Sequence, residues 1–238
     1  MTGFLPATRI FRLIAAVILL PVVLVAGLLL YWYATLPDVA GLARTNPSTT
    51  AFIESRYAEA TEKGRAFTLR WTWAPLTRLS PHLHKAVLVA EDASFYQHHG
   101  FDWEGLKEAL TRNVDTGELR RGGSTITQQL AKNLYLSPDK NLFRKGHEAM
   151  LAWELERRLS KKRILELYLN VAEWGHGVFG AEAAARHHFG KSAEALRPDE
   201  AALLAAMLPS PRRYDPIRFT PYLSKRQAQI LKWMGEGG

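Results

Sequence analysis

No cysteine occurs among the 238 residues. Disulfide staples, thiolate metal sites and cysteine nucleophiles are therefore excluded, while the redox compartment stays open. Internal repeats and low-complexity tracts are also missing. Acidic residues are the minority: 23 Asp and Glu stand against 31 Lys and Arg, a formal net charge of +8. That sign suits an anionic partner, whether nucleic acid, a membrane surface or a phosphorylated substrate. Charge of either sign is absent from Leu13 to Tyr33, where Leu, Val, Ile and Ala dominate. As a helix this run spans roughly 32 Å, close to the hydrocarbon thickness of a bilayer.

A cleaved signal peptide is the competing reading of that run. Against it, the run exceeds an ordinary signal-peptide core, and no small-x-small cleavage site follows at once. Pro21 is tolerated in a membrane helix. Tyr31, Trp32 and Tyr33 cluster where the interface should lie, and Arg9 and Arg12 precede the span with no acid among them. The expectation is a retained inner-membrane anchor over 13–33. Residues 1–12 then lie in the cytoplasm and everything later outside it.

Pro37, Gly41 and Pro47 break regularity early in 34–66, so this stretch reads as a stalk and linker leading into a short helix. A domain over 67–238 follows. Phe67, Leu69, Trp71 and Trp73 alternate with polar residues, a period of two that predicts a short strand or extended segment. The rest is mainly helical. Ser80-Pro81 is a cap and first-turn proline for a helix burying Leu83, Val87 and Ala90. Asp102 is placed to cap a second helix. Ser124, after Gly122-Gly123, is read as the cap of a third, which has Ile126, Leu130 and Leu134 on one face. Asn141 starts a long helix, and Ser160 caps another with Ile164, Leu165 and Tyr168 inward. Gly175, Gly177 and Gly180 predict a flexible loop. Gly190 closes a short helix, Pro198 opens an apolar one, and four prolines precede a last short helix.

Two acids stand out. Glu91, with Asp92, ends the first apolar helix, where desolvation favours the protonated form and makes a better base. A solvated helix-end acid is the alternative. Glu148 shares a helical face with Leu151, Ala152, Leu155 and Leu159, so its charge needs a partner. Arg144 and Lys145 lie one turn earlier, and a plain intrahelical ion pair explains the pattern equally well. Two half-buried acids beside cations suit sugar chemistry, in which one carboxylate moves a proton and cations neutralise a leaving group. The Gly122-Gly123-Ser124-Thr125 segment opens a helix whose polar face carries Thr125, Gln128, Gln129 and Lys132, a pattern suited to an anion, with an ordinary capped amphipathic helix as the alternative. Neither His98-His99 nor His187-His188 has metal-ligand spacing, and Ser137-Pro-Asp-Lys140 lacks the partners of an acyl-transfer site. The aromatics fit core and interface better than a nucleic-acid platform, so no nucleic-acid partner is expected.

In order and content these segments resemble the glycosyltransferase domain of peptidoglycan polymerases, glycosyltransferase family 51. The likeness is carried by Glu91-Asp92-x-x-Phe95-x-x-His98-x-Gly100 and by Gly122 to Asn133. It continues through Arg144-Lys145-x-x-Glu148 and Ser160-Lys161-x-x-Ile164-Leu165-Glu166-x-Tyr168-Leu169-Asn170. It runs from about Arg70 to Pro216, and the short remainder resembles the monofunctional type, without a penicillin-binding transpeptidase.

The resemblance implies a lysozyme-like helical domain with a small hydrophobic lobe dipping into the membrane near 101–121. It implies Glu91 as general base and Glu148 as the second acid. Asp92, Phe95, His98, Ser124, Thr125, Gln128, Gln129, Lys132, Asn133, Arg144 and Lys145 are then substrate-binding candidates. The implied partners are lipid II, the lipid-linked growing glycan and other cell-wall synthesis or division proteins. A divalent cation, Mg or Mn, at the diphosphate is left open. A lysozyme-like hydrolase acting on finished glycan and a membrane-tethered scaffold are the competing functions.

Overall fold

The computed structural model describes residues 7–107, 123–138, 142–216, 218 and 220–236. The chain divides into two units, Met1–Asp38 and Val39–Gly238.

The first unit is the helix α1 (Ala7–Ala34), which runs through Pro21. Its window Ala15–Ala34 has a mean hydropathy of 2.5 and is long and apolar enough to cross a membrane. At its end the Thr35 hydroxyl donates to the Tyr31 carbonyl at 2.8 Å.

The second unit begins at Val39. Residues 39–66, expected as stalk and linker leading into a short helix, contain a 3-10 turn (Ala40–Ala43) and that helix, α2 (Ala51–Glu62), with Val39 and Ile53 each only 2% exposed. Distant side chains hold this segment. Arg163 donates to the carbonyls of Leu42 at 2.7 Å and Thr45 at 2.9 Å, and Arg56 pairs with Glu173 at 2.8 Å. These partners lie more than a hundred residues away, where local patterning is blind to them.

Helices build the rest. α3 (Pro81–Glu91) starts as expected: the Ser80 hydroxyl accepts from the His82 amide at 3.2 Å, and Leu83, Ala86, Val87 and Ala90 are buried. Asp102 accepts from the Gly105 amide at 2.8 Å and caps helical turns at 103–107. The remainder of the expected hydrophobic lobe, 108–121, lies outside the described residues, as does Asn141. α4 (Ile126–Tyr135), α5 (Leu142–Arg158) and α6 (Lys161–Val171) follow, then α7 (Ala181–Phe189), closed by Gly190. α8 (Pro198–Met207) is buried from Glu200 onward, as a helix apolar on every side must be. It packs against α3 and against α9 (Pro221–Glu236), while α4 packs against α2, α5 and α6. The terminal helix is thus long, not short, because its face towards α3 and α8 is buried through Leu223 and Ile230.

Two further expectations are corrected. The glycine segment is no flexible loop: β2 (Glu173–Gly175) and β3 (Val178–Phe179) pair antiparallel. β3 also pairs in parallel with β1 (Arg70–Trp71), giving the order β1-β3-β2. Gly177 holds φ +71°, and a Cβ there would meet the Thr68 carbonyl oxygen at 2.5 Å, so glycine is required for this close approach. Asn170, at 0% exposure, locks the arrangement by accepting from the Ala74 amide at 2.9 Å and donating to the Ala74 carbonyl at 2.8 Å.

The cap of α4 is Thr125 in place of Ser124. Its hydroxyl accepts from the Gln128 amide at 3.2 Å and the Gln128 side chain accepts from the Thr125 amide at 3.0 Å, a reciprocal capping box. The same hydroxyl donates to the Gly100 carbonyl at 2.8 Å. Thr125→Ala removes both hydroxyl bonds and is expected to cost about 1–2 kcal/mol. In urea unfolding this appears as a lower midpoint at unchanged slope.

Candidate active site

Glu91 is the last residue of α3, and the buried stripe of that helix holds its backbone in place. Its Oε2 accepts from Gln129 Nε2 at 2.9 Å, one turn into α4. Gln129 is itself oriented, because its Oε1 accepts from the Tyr168 hydroxyl of α6 at 3.0 Å. Burial pushes the Glu91 carboxyl above the ordinary carboxylate range, while Gln129, then Arg226 and Lys132, oppose that rise. Tyr168 is pushed well above the usual phenol range by burial and by the nearby Glu91 and Asp92 charges, so it stays a proton donor to Gln129.

Asp92 follows at once but faces elsewhere. Its side chain is 1% exposed, and its Oδ2 accepts from the Ile126 amide, at the start of α4, at 2.9 Å. His98 Nε2 lies 2.9 Å from Asp92 Oδ1, and His98 Nδ1 accepts from the Gly100 amide at 3.2 Å. With Nδ1 accepting, the ring proton sits on Nε2 and is donated to Asp92. The Asp92–His98 pair thus joins the end of α3 to the positive end of α4.

Lys132 lies one turn beyond Gln129 on α4. Burial lowers its pKa; Glu148 and, less strongly, Glu91 raise it, while Arg144 and Lys145 lower it further. Its Nζ also sits 5.5 Å from the centre of the Phe52 ring of α2. Glu148 is 3% exposed on the apolar face of α5 beside Leu151, Ala152 and Leu155. It accepts from Arg144 at 2.8 Å and from Lys145 Nζ in a close contact. Lys145 Nζ also donates to Ser124 Oγ at 3.0 Å, tying α5 to the start of α4.

The other candidates are occupied structurally. Phe95 is fully buried, with the Lys161 ammonium 4.4 Å from its ring centre. Thr125 and Gln128 are used in the capping box, and Asn133 is buried at 8% exposure. Substrate contact through Asp92, Phe95, His98, Thr125 or Gln128 would require their present partners to give way. The polar face of α4 open to Glu91 therefore narrows to Gln129 and Lys132. Phe52, Tyr168 and Arg226 are additions. Tyr168 alone carried a local signal, a hydroxyl on an inward helical face; the others come from segments far away in sequence.

Among the described residues no group of three or more His, Asp or Glu side chains could hold a metal ion. Glu148 is already neutralised by two cations, so the donor set does not fit a divalent ion there. His188 Nε2 lies 3.0 Å from the Trp174 carbonyl, a structural use.

The sequence pattern of the Transglycosylase family matches residues 59–235. Among curated relatives, the biosynthetic peptidoglycan transglycosylase of Nitrosospira multiformis is 53% identical over 186 residues, 78% of this chain and 81% of the relative. The protein of the same name from Aromatoleum aromaticum is 50% identical over 214 residues, covering 89% and 92%. That from Herminiimonas arsenicoxydans is 44% identical over 224 residues, covering 94% and 96%.

Proposed function

The chain belongs to the transglycosylase family, as a peptidoglycan transglycosylase, and from that premise we propose that it elongates glycan strands from lipid II. The growing strand, on its polyprenyl diphosphate, occupies a donor site beside Lys132, Arg144, Lys145 and Glu148. The incoming lipid-linked disaccharide presents its N-acetylglucosamine 4-hydroxyl to Glu91. Glu91 removes that proton as the oxygen attacks the anomeric carbon from the face opposite the diphosphate. A β-1,4 bond forms with inversion, and the carbon–oxygen bond to the diphosphate breaks, its electron pair leaving with the phosphate.

The observation that carries this reading is that one helix, α4, meets both acids: its Gln129 donates to Glu91, and its start is tied through Ser124 to Lys145, which with Arg144 holds Glu148. A proton acceptor and a set of cations for a departing diphosphate thus share one site, where fixed charge stabilises the charge that builds up on leaving. Glu148 holds Arg144 and Lys145 in place, and Tyr168 through Gln129 fixes the Glu91 carboxylate. α1 serves as a single-pass inner-membrane anchor with its N-terminus in the cytoplasm, and it holds the enzyme on the surface where both lipid substrates lie. A divalent cation at the diphosphate enters no step.

The purified full chain, incubated with lipid II, should release polyprenyl diphosphate and produce long glycan. Short soluble fragments from sacculi, with lipid II untouched, would instead identify a hydrolase and retire the proposal.

A further inference from the structure

Glu91 stands at the unfavourable end of its helix for an anion. The last carbonyls of an α-helix have no intrahelical partner and carry the negative end of the dipole, which repels a carboxylate. Burial works in the same direction, so a base in this position needs cations to remain able to accept a proton. Five charged or titratable side chains act on it across four elements: Asp92 beside it, Lys132 of α4, Tyr168 of α6, and Tyr222 and Arg226 of α9. Asp92 and the two tyrosines do not help the anion. Lys132 is shared with Glu148. Arg226 differs in its attachment: a guanidinium NH2 donates to the carbonyl of Ala90, the residue just before Glu91, at 3.1 Å. NH1 donates to Gln229 Oε1 at 3.2 Å, and the guanidinium lies 5.2 Å from the Trp233 ring centre. Three contacts thus orient one permanent cation against the last turn of α3.

We propose that Arg226 is a positioning residue for Glu91: clamped on the Ala90 carbonyl, it holds a positive charge at the negative end of α3, beside the base. The proposal rests on the reading of Glu91 as the base, and it assigns a role in the reaction to the C-terminal helix. An arginine is suited to this because it stays charged at every working pH and its planar fork fixes direction.

The test uses the full-length protein with Arg226→Gln and Arg226→Lys, comparing polymerisation over pH with the carboxyl titration of Glu91 followed by 13C labelling. Arg226→Gln should move both the acid limb of activity and the Glu91 titration to higher pH. Activity then falls roughly tenfold on the acid side and recovers at high pH, since one pH unit is a tenfold change in ionised base. Arg226→Lys should restore most of the limb. Arg226→Met, which keeps a long stem against Trp233, replaces the glutamine variant if that one folds poorly. A Glu91 titration unmoved by loss of the charge overturns the proposal, as does an equal loss at all pH values in the lysine and glutamine variants, the mark of a merely structural clamp. A titration that moves while the activity limb stays in place keeps the role of Arg226 and removes Glu91 as the base.

Discussion

Glu91→Gln is expected to lower the rate of glycan polymerisation by roughly 10³-fold or more, within the range of general-base contributions combined with loss of the charge. The substitution is nearly isosteric, and a glutamine carbonyl at 91 still accepts from Gln129, so the fold has no reason to change. Stability should even rise slightly at neutral pH. The sign follows from the raised pKa of Glu91: its stabilising contribution is full below the unfolded-state value and is lost as pH rises through the folded-state value, so the ionised carboxylate is a cost that glutamine removes. The same shift sets the wild-type pH profile. A base must be ionised, so activity should fall with acid through a limb lying above the ordinary carboxylate range, and the residual activity of Glu91→Gln should lack that limb. Initial rates of lipid II consumption across pH, with thermal melts of both proteins, test this directly. A variant that polymerises at near-wild-type rate removes Glu91 from the role.

Lys132→Met is expected to reduce activity by about 10²- to 10³-fold, the scale of losing one preorganised charge at a developing anion. Its melting temperature should hold or rise. Burial has already lowered the pKa of this amine, which means that the fold disfavours its charged form, and a methionine of similar length still packs on the Phe52 ring in place of the cation–π contact. Activity lost while stability is kept marks a group retained for chemistry in spite of its cost to the fold. If single-turnover rates with lipid II are unchanged in Lys132→Met, the leaving-group role falls to Arg144 and Lys145.

Local signals were reliable where one turn of helix decides the outcome. Ser80-Pro81 opened α3, Ser160 opened α6, and the stripe of Glu148, Leu151, Ala152 and Leu155 lies on the buried face of α5. Such patterns involve partners three or four residues apart, and the same rule paired Glu148 with Arg144 and Lys145. The cap of α4 fell one residue away from Ser124, because Thr125 alone combines the Gln128 box with a bond to the Gly100 carbonyl. The glycine segment looked loose because its strands are short and one of their partners, β1, lies about a hundred residues earlier.

By itself, the order of residues determined a charge-free helix long enough for a bilayer, a mainly helical domain and two acids set among cations. Those properties depend on composition and on repeats of 3.6 residues, which are printed in the chain. Tertiary structure alone decided that α2 brings Phe52 to Lys132, that Gln129 and Tyr168 hold Glu91, and that α9 delivers Arg226 to the end of α3. Desolvation and long-range charge act through space, so the ionisation of Glu91 is settled only when segments remote in sequence close around it.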